Sequence, residues 1–89
     1  MKDFEHYSDR DLLNEIKSGD DRAMDFLLNR YGGLVRRESR KFFLAGADEE
    51  DLIQEGMIGL FKAVKNYDDE KNASFSTFAS LCVKRQIYT

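Results

Sequence analysis

The chain of 89 residues contains no proline, six glycines, one histidine and one cysteine. Proline and glycine interrupt regular structure and build turns, so their scarcity favours long helices over a turn-rich β fold. The single thiol, Cys82, excludes an internal disulfide and a cysteine zinc site, and it fits a reducing, cytoplasmic setting. The sequence has no apolar run of membrane-spanning length and no signal-peptide core in its charged start, MKDFEHYSDRD. We therefore expect one small, soluble, cytoplasmic all-α domain.

Groups that perform enzyme chemistry are scarce as well. His6 lies near the chain terminus, where we expect an unstructured surface position rather than a catalytic one. Cys82 has no histidine close in sequence to activate its thiol, so we expect the thiol to be inert. Glycine-rich phosphate-binding loops are absent from the sequence. The acids at 48–51 are consecutive and point in different directions around a helix, whereas a metal ion needs converging ligands. The sequence thus predicts a protein without catalytic activity, cofactor or metal ion.

Apolar residues recur at helical spacing in four stretches. The first begins at Ser8, which is followed three residues later by an acid in a variant of the capping box, and it ends at Gly19. The second begins at Asp20, and its apolar stripe continues across the Gly32-Gly33 pair to Gly46. Because two glycines weaken a helix, we expect a kinked continuation at this pair, with a break as the alternative.

The third helix begins near Asp48 and contains Gly56 and Gly59. Glycine is a poor helix former, so we expect these two positions to let the backbone of another helix approach closely. After a polar loop, the fourth helix starts at Ser74 or Ser76. Because no stop signal follows, we expect the chain to end inside this helix and to be part of a longer protein.

Charge is distributed unevenly along the chain, although the net charge is only −3. The first 70 residues carry all 17 acids and 11 of the 14 Lys and Arg, a net charge of −6, whereas the last 19 carry +3. A basic cluster lies at residues 36–41, and an acidic one lies at residues 48–55. This polarity suggests two partners of opposite character, although ordinary solvated helix faces remain the alternative.

Residues 51–89, DLIQEGMIGLFKAVKNYDDEKNASFSTFASLCVKRQIYT, resemble the central conserved part of the sigma-70 family of bacterial transcription initiation factors. Two blocks carry the likeness, DLIQEG-IGL-KAV at 51–64 and FSTFA at 75–79, in the family's order and at its spacing. The segment FFLAGADEEDLIQEGMIGL, followed by LCVKRQI-T, is most similar to the sigma-H subgroup of alternative, sporulation-associated factors. The resemblance implies that residues 1–89 form a single region 2 domain. Its implied fold is compact and all-α, with about four helices, the second and third forming an antiparallel pair at the centre.

The first block places acids, an amide and apolar groups on one helix face, because Asp51, Gln54, Glu55 and Ile58 are three or four residues apart. Such a strip suits a helical protein partner with basic residues. In the family this helix docks on the coiled coil of the RNA polymerase β′ subunit. The resemblance therefore implies contacts from five residues: Asp51, Gln54, Glu55, Met57 and Phe61. The spacing alone is equally compatible with Met57 and Phe61 lying in the core.

The second block combines aromatic rings and hydroxyls with flanking positive charge, which suits single-stranded DNA. In the family this region melts the promoter, binds the non-template strand of the minus-ten element and flips one adenine into an aromatic-lined pocket. The resemblance implies that six residues surround this pocket: Tyr67, Phe75, Thr77, Phe78, Leu81 and Cys82. It also implies that three cations lie toward the phosphates: Lys71, Lys84 and Arg85. Core packing is the alternative for the aromatic rings, and we expect Phe78 to be partly buried.

Two departures from the family pattern bear on these assignments. Primary factors have two adjacent tryptophans at the positions of Leu81 and Cys82, so the wedge that supports strand separation is expected to be weaker here. The family reads the upstream duplex edge with a glutamine ten residues after the motif phenylalanine. That position is Arg85 in this chain, and Gln86 follows it, so either residue could read the duplex, with Thr89 one turn beyond.

The resemblance implies three partners: core RNA polymerase through its β′ coiled coil, promoter DNA, and an anti-sigma factor as a regulator. No membrane partner is expected. One rival interpretation is a helical adaptor or anti-sigma regulator that uses the DLIQEG face and never contacts DNA. The acid-free, aromatic end of the chain counts against that rival.

Overall fold

In a computed structural model of the chain, the structure describes residues 3–43, 46–71 and 73–88. Within these ranges it contains a 3₁₀ turn at Phe4–His6 and five α-helices: α1 Asp9–Lys17, α2 Asp21–Arg30, α3 Gly32–Phe43, α4 Glu49–Asn66 and α5 Phe75–Tyr88. The described ranges include no strand, and the predicted all-α class is confirmed. None of their helices has both the length and the apolar character needed to cross a membrane.

The helices begin at the polar residues that the sequence marks as caps. Ser8 accepts a hydrogen bond from the Asp11 N–H, and the Asp11 carboxylate accepts one from the Ser8 N–H, which completes a capping box. Asp20 caps α2, and Asp48 caps α4, each by accepting backbone N–H groups of the first turn. Ser74 does the same for α5. Local side-chain chemistry thus sets where each of these helices starts.

The predicted second helix is two helices, α2 and α3, which meet at Tyr31. This residue has φ −101° and ψ 9°, outside the helical region, so the break rather than the kinked continuation is observed and the helix count rises to five. Its side chain provides the physical reason. The Tyr31 hydroxyl donates to Asp9 of α1, and its ring packs edge-on against Phe75 of α5 at 5.3 Å. Contacts to two other helices thus hold Tyr31 away from helical geometry.

Helix α4 is the centre of the domain, because it packs most extensively against α5 and next against α3. It is antiparallel to α5, since Gly56 near its start faces Ile87 and Tyr67 at its end contacts Phe75. Val35 of α3 also meets Gly56, and a short connection joins α3 to α4, so this pair is antiparallel as predicted. Among the residues that the structure describes, twelve apolar ones form the buried core: Phe4, Leu12, Leu13, Ala23, Leu27, Val35, Leu60, Ala63, Val64, Phe75, Ala79 and Val83.

The two buried glycines of α4 are where neighbouring helices come closest. A Cβ atom at Gly59 would lie 2.8 Å from the carbonyl oxygen of Cys82 and 3.0 Å from the Cα of Val83. A Cβ atom at Gly56 would lie 2.7 Å from a methyl group of Val35. Because the atoms opposite Gly59 belong to the backbone of α5, only a hydrogen fits there without separating the helices.

We predict that Gly59→Ala lowers the free energy of unfolding by about 1–3 kcal/mol, because overpacking against backbone forces the two helices apart. Urea denaturation followed by circular dichroism measures this change. Gly33→Ala on α3 is the matched control, since a Cβ there meets nothing within 4 Å. The control should leave stability unchanged or raise it by up to about 1 kcal/mol, because alanine is the better helix former. Equal midpoints for the two variants would contradict the close approach at Gly59.

Candidate functional site

The outward face of α4 carries most of the residues predicted to bind a protein partner. Asp51, Gln54 and Glu55 are exposed, and Ile58 and Phe61 follow on the same face with 45% and 44% of their surfaces exposed. We call these five residues the α4 face. Two large apolar groups open to solvent beside acids and an amide form a surface suited to another protein.

Met57 differs from this pattern, because it is half-buried and packs against the core. Met57 follows Gly56, the residue that faces α3 and α5, so its side chain lies beside the interface between these helices. Phe61 lies outside, with the ammonium of Lys65 5.4 Å from its ring centre. Of the predicted Met57–Phe61 contact pair, Phe61 is thus exposed and Met57 is half-buried, and Ile58 and Phe61 form the exposed apolar part of the α4 face.

Gln86 connects the α4 face to α5. Its side-chain Nε2 donates to Glu55 Oε2 at 2.8 Å, and its Oε1 accepts from Lys62 Nζ at 3.1 Å. Both ends of the amide are therefore bonded to α4, whereas the neighbouring Arg85 is exposed. Of the two residues left open for reading a DNA duplex, Arg85 is the one that faces solvent. Thr89, predicted one turn beyond, lies outside the described residues.

Three aromatic rings cluster where α4 ends and α5 begins, as the sequence predicts. The Tyr67 ring is edge-on to Phe75 at 5.4 Å and tilted against Phe78 at 5.7 Å, and its hydroxyl donates to the Ala73 carbonyl at 2.6 Å. Tyr67 and Phe78 are half-buried, and the partial burial expected for Phe78 is observed. The cluster therefore offers parts of two rings at the surface.

Phe75 borders a cavity of about 280 Å³ together with Tyr67, whereas Cys82 lies further along α5. Phe75 is only 4% exposed and belongs to the core. Cys82 is half-buried beside Gly59, and burial raises the pKa of its thiol, partly offset by the positive charge of Arg85. The two residues are seven positions apart, about two helical turns, so they share the α5 side that faces α4. A raised thiol pKa agrees with the inert cysteine expected from the sequence.

The remaining predicted residues of α5 line an open groove against α2 and α3. The groove has a volume of about 680 Å³. Helix α5 contributes Thr77, Leu81 and Lys84 together with Ser76 and Ser80. The opposite wall consists of Arg30, Tyr31, Leu34 and Arg37. Three cations, hydroxyls and apolar groups thus surround a groove whose lining residues include no acid, and we call it the basic groove.

Sequence reasoning missed the wall of the basic groove that α2 and α3 provide. The basic cluster at 36–41 was the available signal, but it does not reveal which of its cations face α5. Only Arg37 of that cluster lines the groove, and Arg30 lies outside the cluster. The selection depends on how α3 is rotated against α5, which tertiary packing decides.

A polar network holds this wall in place. Arg30 donates from Nη1 to Asp9 Oδ1 at 2.9 Å and from Nη2 to the Tyr7 carbonyl at 2.8 Å. Tyr31 donates its hydroxyl to the same Asp9 carboxylate. Burial first, and then Asp9, raise the pKa of Tyr31, so its hydroxyl remains protonated as a hydrogen-bond donor. The network fixes Arg30 and Tyr31 to α1, which presents them to the groove in a defined geometry.

The loop between α4 and α5 carries the remaining predicted cation, Lys71, which is exposed. Arg10 of α1 holds this loop through an ion pair with Asp69 at 2.8 Å. Exposed ion pairs of this kind contribute little free energy. Their geometric effect here is to keep the loop beside α1, and Lys71 lies on the same loop.

Near the start of the chain, the structure brings together the carboxylates of Asp3 and Glu5 and the imidazole of His6, all exposed. His6 ends the 3₁₀ turn, so it is not in unstructured chain as the sequence suggested. Exposed acids of this kind are common on protein surfaces without a bound ion.

A family model described as Sigma-70 region 2 matches residues 27–89. The RNA polymerase sigma-H factor of Bacillus subtilis is 44% identical over 81 residues, which cover 91% of this chain and 37% of that protein. The RNA polymerase sigma-E factor of Clostridium acetobutylicum is 39% identical over 77 residues, covering 86% of this chain and 33% of that protein. The RNA polymerase sigma-K factor of Bacillus subtilis is 33% identical over 79 residues, covering 89% and 27%. The chain thus spans between about a quarter and little more than a third of the length of these relatives.

The burial of Phe75 yields a prediction that separates core from surface. Phe75→Ala should lower the free energy of unfolding by about 3–5 kcal/mol, because it leaves a cavity beneath Tyr31 and Tyr67. Leu81→Ala is the control on the same helix, and because Leu81 is 44% exposed its effect should stay within about 0.5 kcal/mol. Thermal unfolding of both variants measures the difference. A Phe75→Ala variant as stable as the control would place this ring at the surface.

Proposed function

Since the chain belongs to the sigma-70 family of RNA polymerase sigma factors, whose region 2 it matches, we propose that it binds core RNA polymerase and directs it to promoters. On the DNA it recognises the minus-ten element and helps to separate the strands. The domain acts in the cytoplasm and performs no catalysis, because the polymerase supplies the chemistry. Its two partners use the α4 face and the basic groove.

The α4 face is the proposed contact with core polymerase. The resemblance of the DLIQEG block to the family implies that the partner is the β′ coiled coil. Basic residues on that helical surface would complement Asp51 and Glu55. Binding energy at protein interfaces concentrates in a few groups, and large apolar groups are frequent among them. Phe61 and Ile58 supply such groups, and Gln54 adds an amide that can both donate and accept.

The basic groove is the observation that carries the proposed contact with DNA. Arg37 and Lys84 provide positive charge for phosphates, and Arg30, whose charge is paired with Asp9, also lines the wall. Leu34 and Leu81 provide apolar surface, and the serines and threonine of α5 provide short hydrogen-bonding groups. An acid-free groove of this mixed character suits an opened single strand, in which bases and phosphates are both accessible.

The aromatic cluster beside the groove is the proposed place for the flipped base. Tyr67 and Phe78 present ring surface there, and Lys71 lies on the adjoining loop. Because Phe75 is buried, its role in this proposal is to support the Tyr67 ring from inside rather than to contact the base. Duplex reading upstream is assigned to Arg85, with Thr89 as a further predicted contact.

A direct test of the polymerase contact uses two apolar residues of equal exposure. Phe61→Ala should raise the Kd for core polymerase by about 30-fold, because losing a central interface group costs about 2 kcal/mol or more. Leu81→Ala, exposed to the same 44% but facing the groove, should leave this Kd unchanged. Fluorescence titration of labelled variants with bacterial core RNA polymerase measures both. Equal Kd values for Phe61→Ala and the wild-type chain would remove the α4 face from the interface.

The groove predicts a specific salt dependence. In the complex with core polymerase, Lys84→Ala and Arg37→Ala should each weaken binding to a minus-ten single strand. Each should also reduce the slope of log affinity against log salt by about 0.7, because one phosphate contact is lost. Arg22→Ala, which removes an exposed cation of α2 that does not line the groove, is the control.

The same measurement separates the proposed function from its rival. A helical adaptor or anti-sigma regulator would bind a protein partner without any salt-dependent contact between DNA and this groove. Unchanged slopes for both groove variants would favour that rival. Free duplex should bind weakly to the isolated chain, because its net charge of −3 repels phosphate at long range.

A further inference from the structure

Gln86 lies across α4 at Gly59, where the backbones of α4 and α5 approach closely. Its two partners, Glu55 and Lys62, are seven residues apart on α4, and Gly59 lies between them. The amide nitrogen bonds to Glu55 at 2.8 Å and the amide oxygen to Lys62 at 3.1 Å. Beneath the amide, the Gln86 Cβ would be only 2.8 Å from a Cβ at Gly59. The side chain therefore rests on a glycine and is bonded at both ends.

This arrangement adds a directional restraint to the packing that sets how α5 is rotated on α4. The other α5 atoms closest to Gly59 are the Cys82 carbonyl oxygen and the Val83 Cα, and the Ile87 side chain packs one turn away at Gly56; these are van der Waals contacts without directional preference. Hydrogen bonds are directional, so two of them at opposite ends of one amide oppose rotation of the helix in either sense. Each residue on a helix advances by about 100°, so the orientation of Gln86 also sets where Lys84 and Arg85 point.

We propose that Gln86 is a positioning residue, which the α4 residues Glu55 and Lys62 hold over Gly59 so that Arg85 and Lys84 face the DNA, and that it does not itself read a base. The inference rests on the proposed function of the domain. Glu55 then serves both partners, because a carboxylate can accept hydrogen bonds from Gln86 and from a basic group of the polymerase together.

Exchanging the donor and the acceptor of the Gln86–Glu55 hydrogen bond tests this role. Gln86→Glu places two carboxylates together, and with core polymerase at saturation it should weaken minus-ten DNA binding by about ten-fold. Adding Glu55→Gln to this variant restores a donor opposite the new carboxylate, and Lys62 still donates to it. The double variant should therefore bind DNA within about three-fold of the Glu55→Gln single variant. Saturating polymerase removes any loss of core affinity from the comparison.

The DNA probe is a fork carrying a minus-ten element selected from a randomised library with the wild-type protein. Direct reading by Gln86 predicts the opposite result, because a carboxylate at this position repels phosphate whether or not Glu55 is changed. Base preference at the upstream edge should persist in the double variant and be lost in Arg85→Ala. A double variant that binds DNA as poorly as Gln86→Glu would overturn the positioning role.

Thermal unfolding of the wild type, Gln86→Glu, Glu55→Gln and the double variant, measured without polymerase or DNA, tests the interhelical bonds separately. Gln86→Glu should lower the melting temperature, and the double variant should recover it. A double variant that melts as low as Gln86→Glu would show that Gln86 and Glu55 are not coupled. Should the wild-type chain bind neither core polymerase nor the fork, the proposed function fails, and the positioning role fails with it. The unfolding result distinguishes that outcome from an error in the interhelical contact alone.

Discussion

The backbone contact between α4 and α5 is the constraint on which the rest of the structure depends. Gly59 allows the Cα of Val83 and the carbonyl of Cys82 to approach to distances at which any side chain would clash. Gly56 does the same for the side chain of Val35. Once α4 lies this close to two helices, its inner side is fully used and its outer side must face solvent. The exposed α4 face is therefore a consequence of how tightly the opposite side is packed.

The same contact gives α5 one side that is buried against α4 and another that lines the basic groove. Phe75, Ala79 and Val83 are buried toward α4, where they stabilise the helix pair. Residues about a third of a turn away, such as Leu81 and Lys84, are left to line the basic groove. The α4 face and the basic groove, the two proposed contact surfaces, thus arise from two adjacent helices that share one apolar seam. Gln86 adds directional bonds to this seam.

The opposite wall of the groove depends on a different kind of interaction. Asp9 receives hydrogen bonds from both Arg30 and Tyr31, which ties the end of α2 to α1. Tyr31 also packs against Phe75, so the break between α2 and α3 is connected to the start of α5. Hydrogen bonds to a charged partner are among the stronger ones in proteins, and here they hold groove residues instead of core residues.

Local signals in the sequence determined a large part of this protein. Caps at Ser8, Asp20 and Asp48 fixed where helices begin, because a side-chain oxygen and nearby backbone N–H groups are all that a cap needs. Apolar periodicity predicted the all-α class, and the glycines of α4 predicted a close contact with another helix. The blocks DLIQEG and FSTFA identified the family, since residue order is itself the signal.

Tertiary structure alone decided the rotation of each helix and the partners of each exposed group. Spacing could not tell that Phe75 is inside while Phe61 is outside, because both lie on apolar stripes and only packing selects which one is covered. Nor could it bring Arg30 and Arg37 opposite Lys84, or Gln86 onto Glu55, since these residues are far apart in sequence. Contacts of that kind exist only after the chain has folded, and they determine which charges and rings remain for a partner.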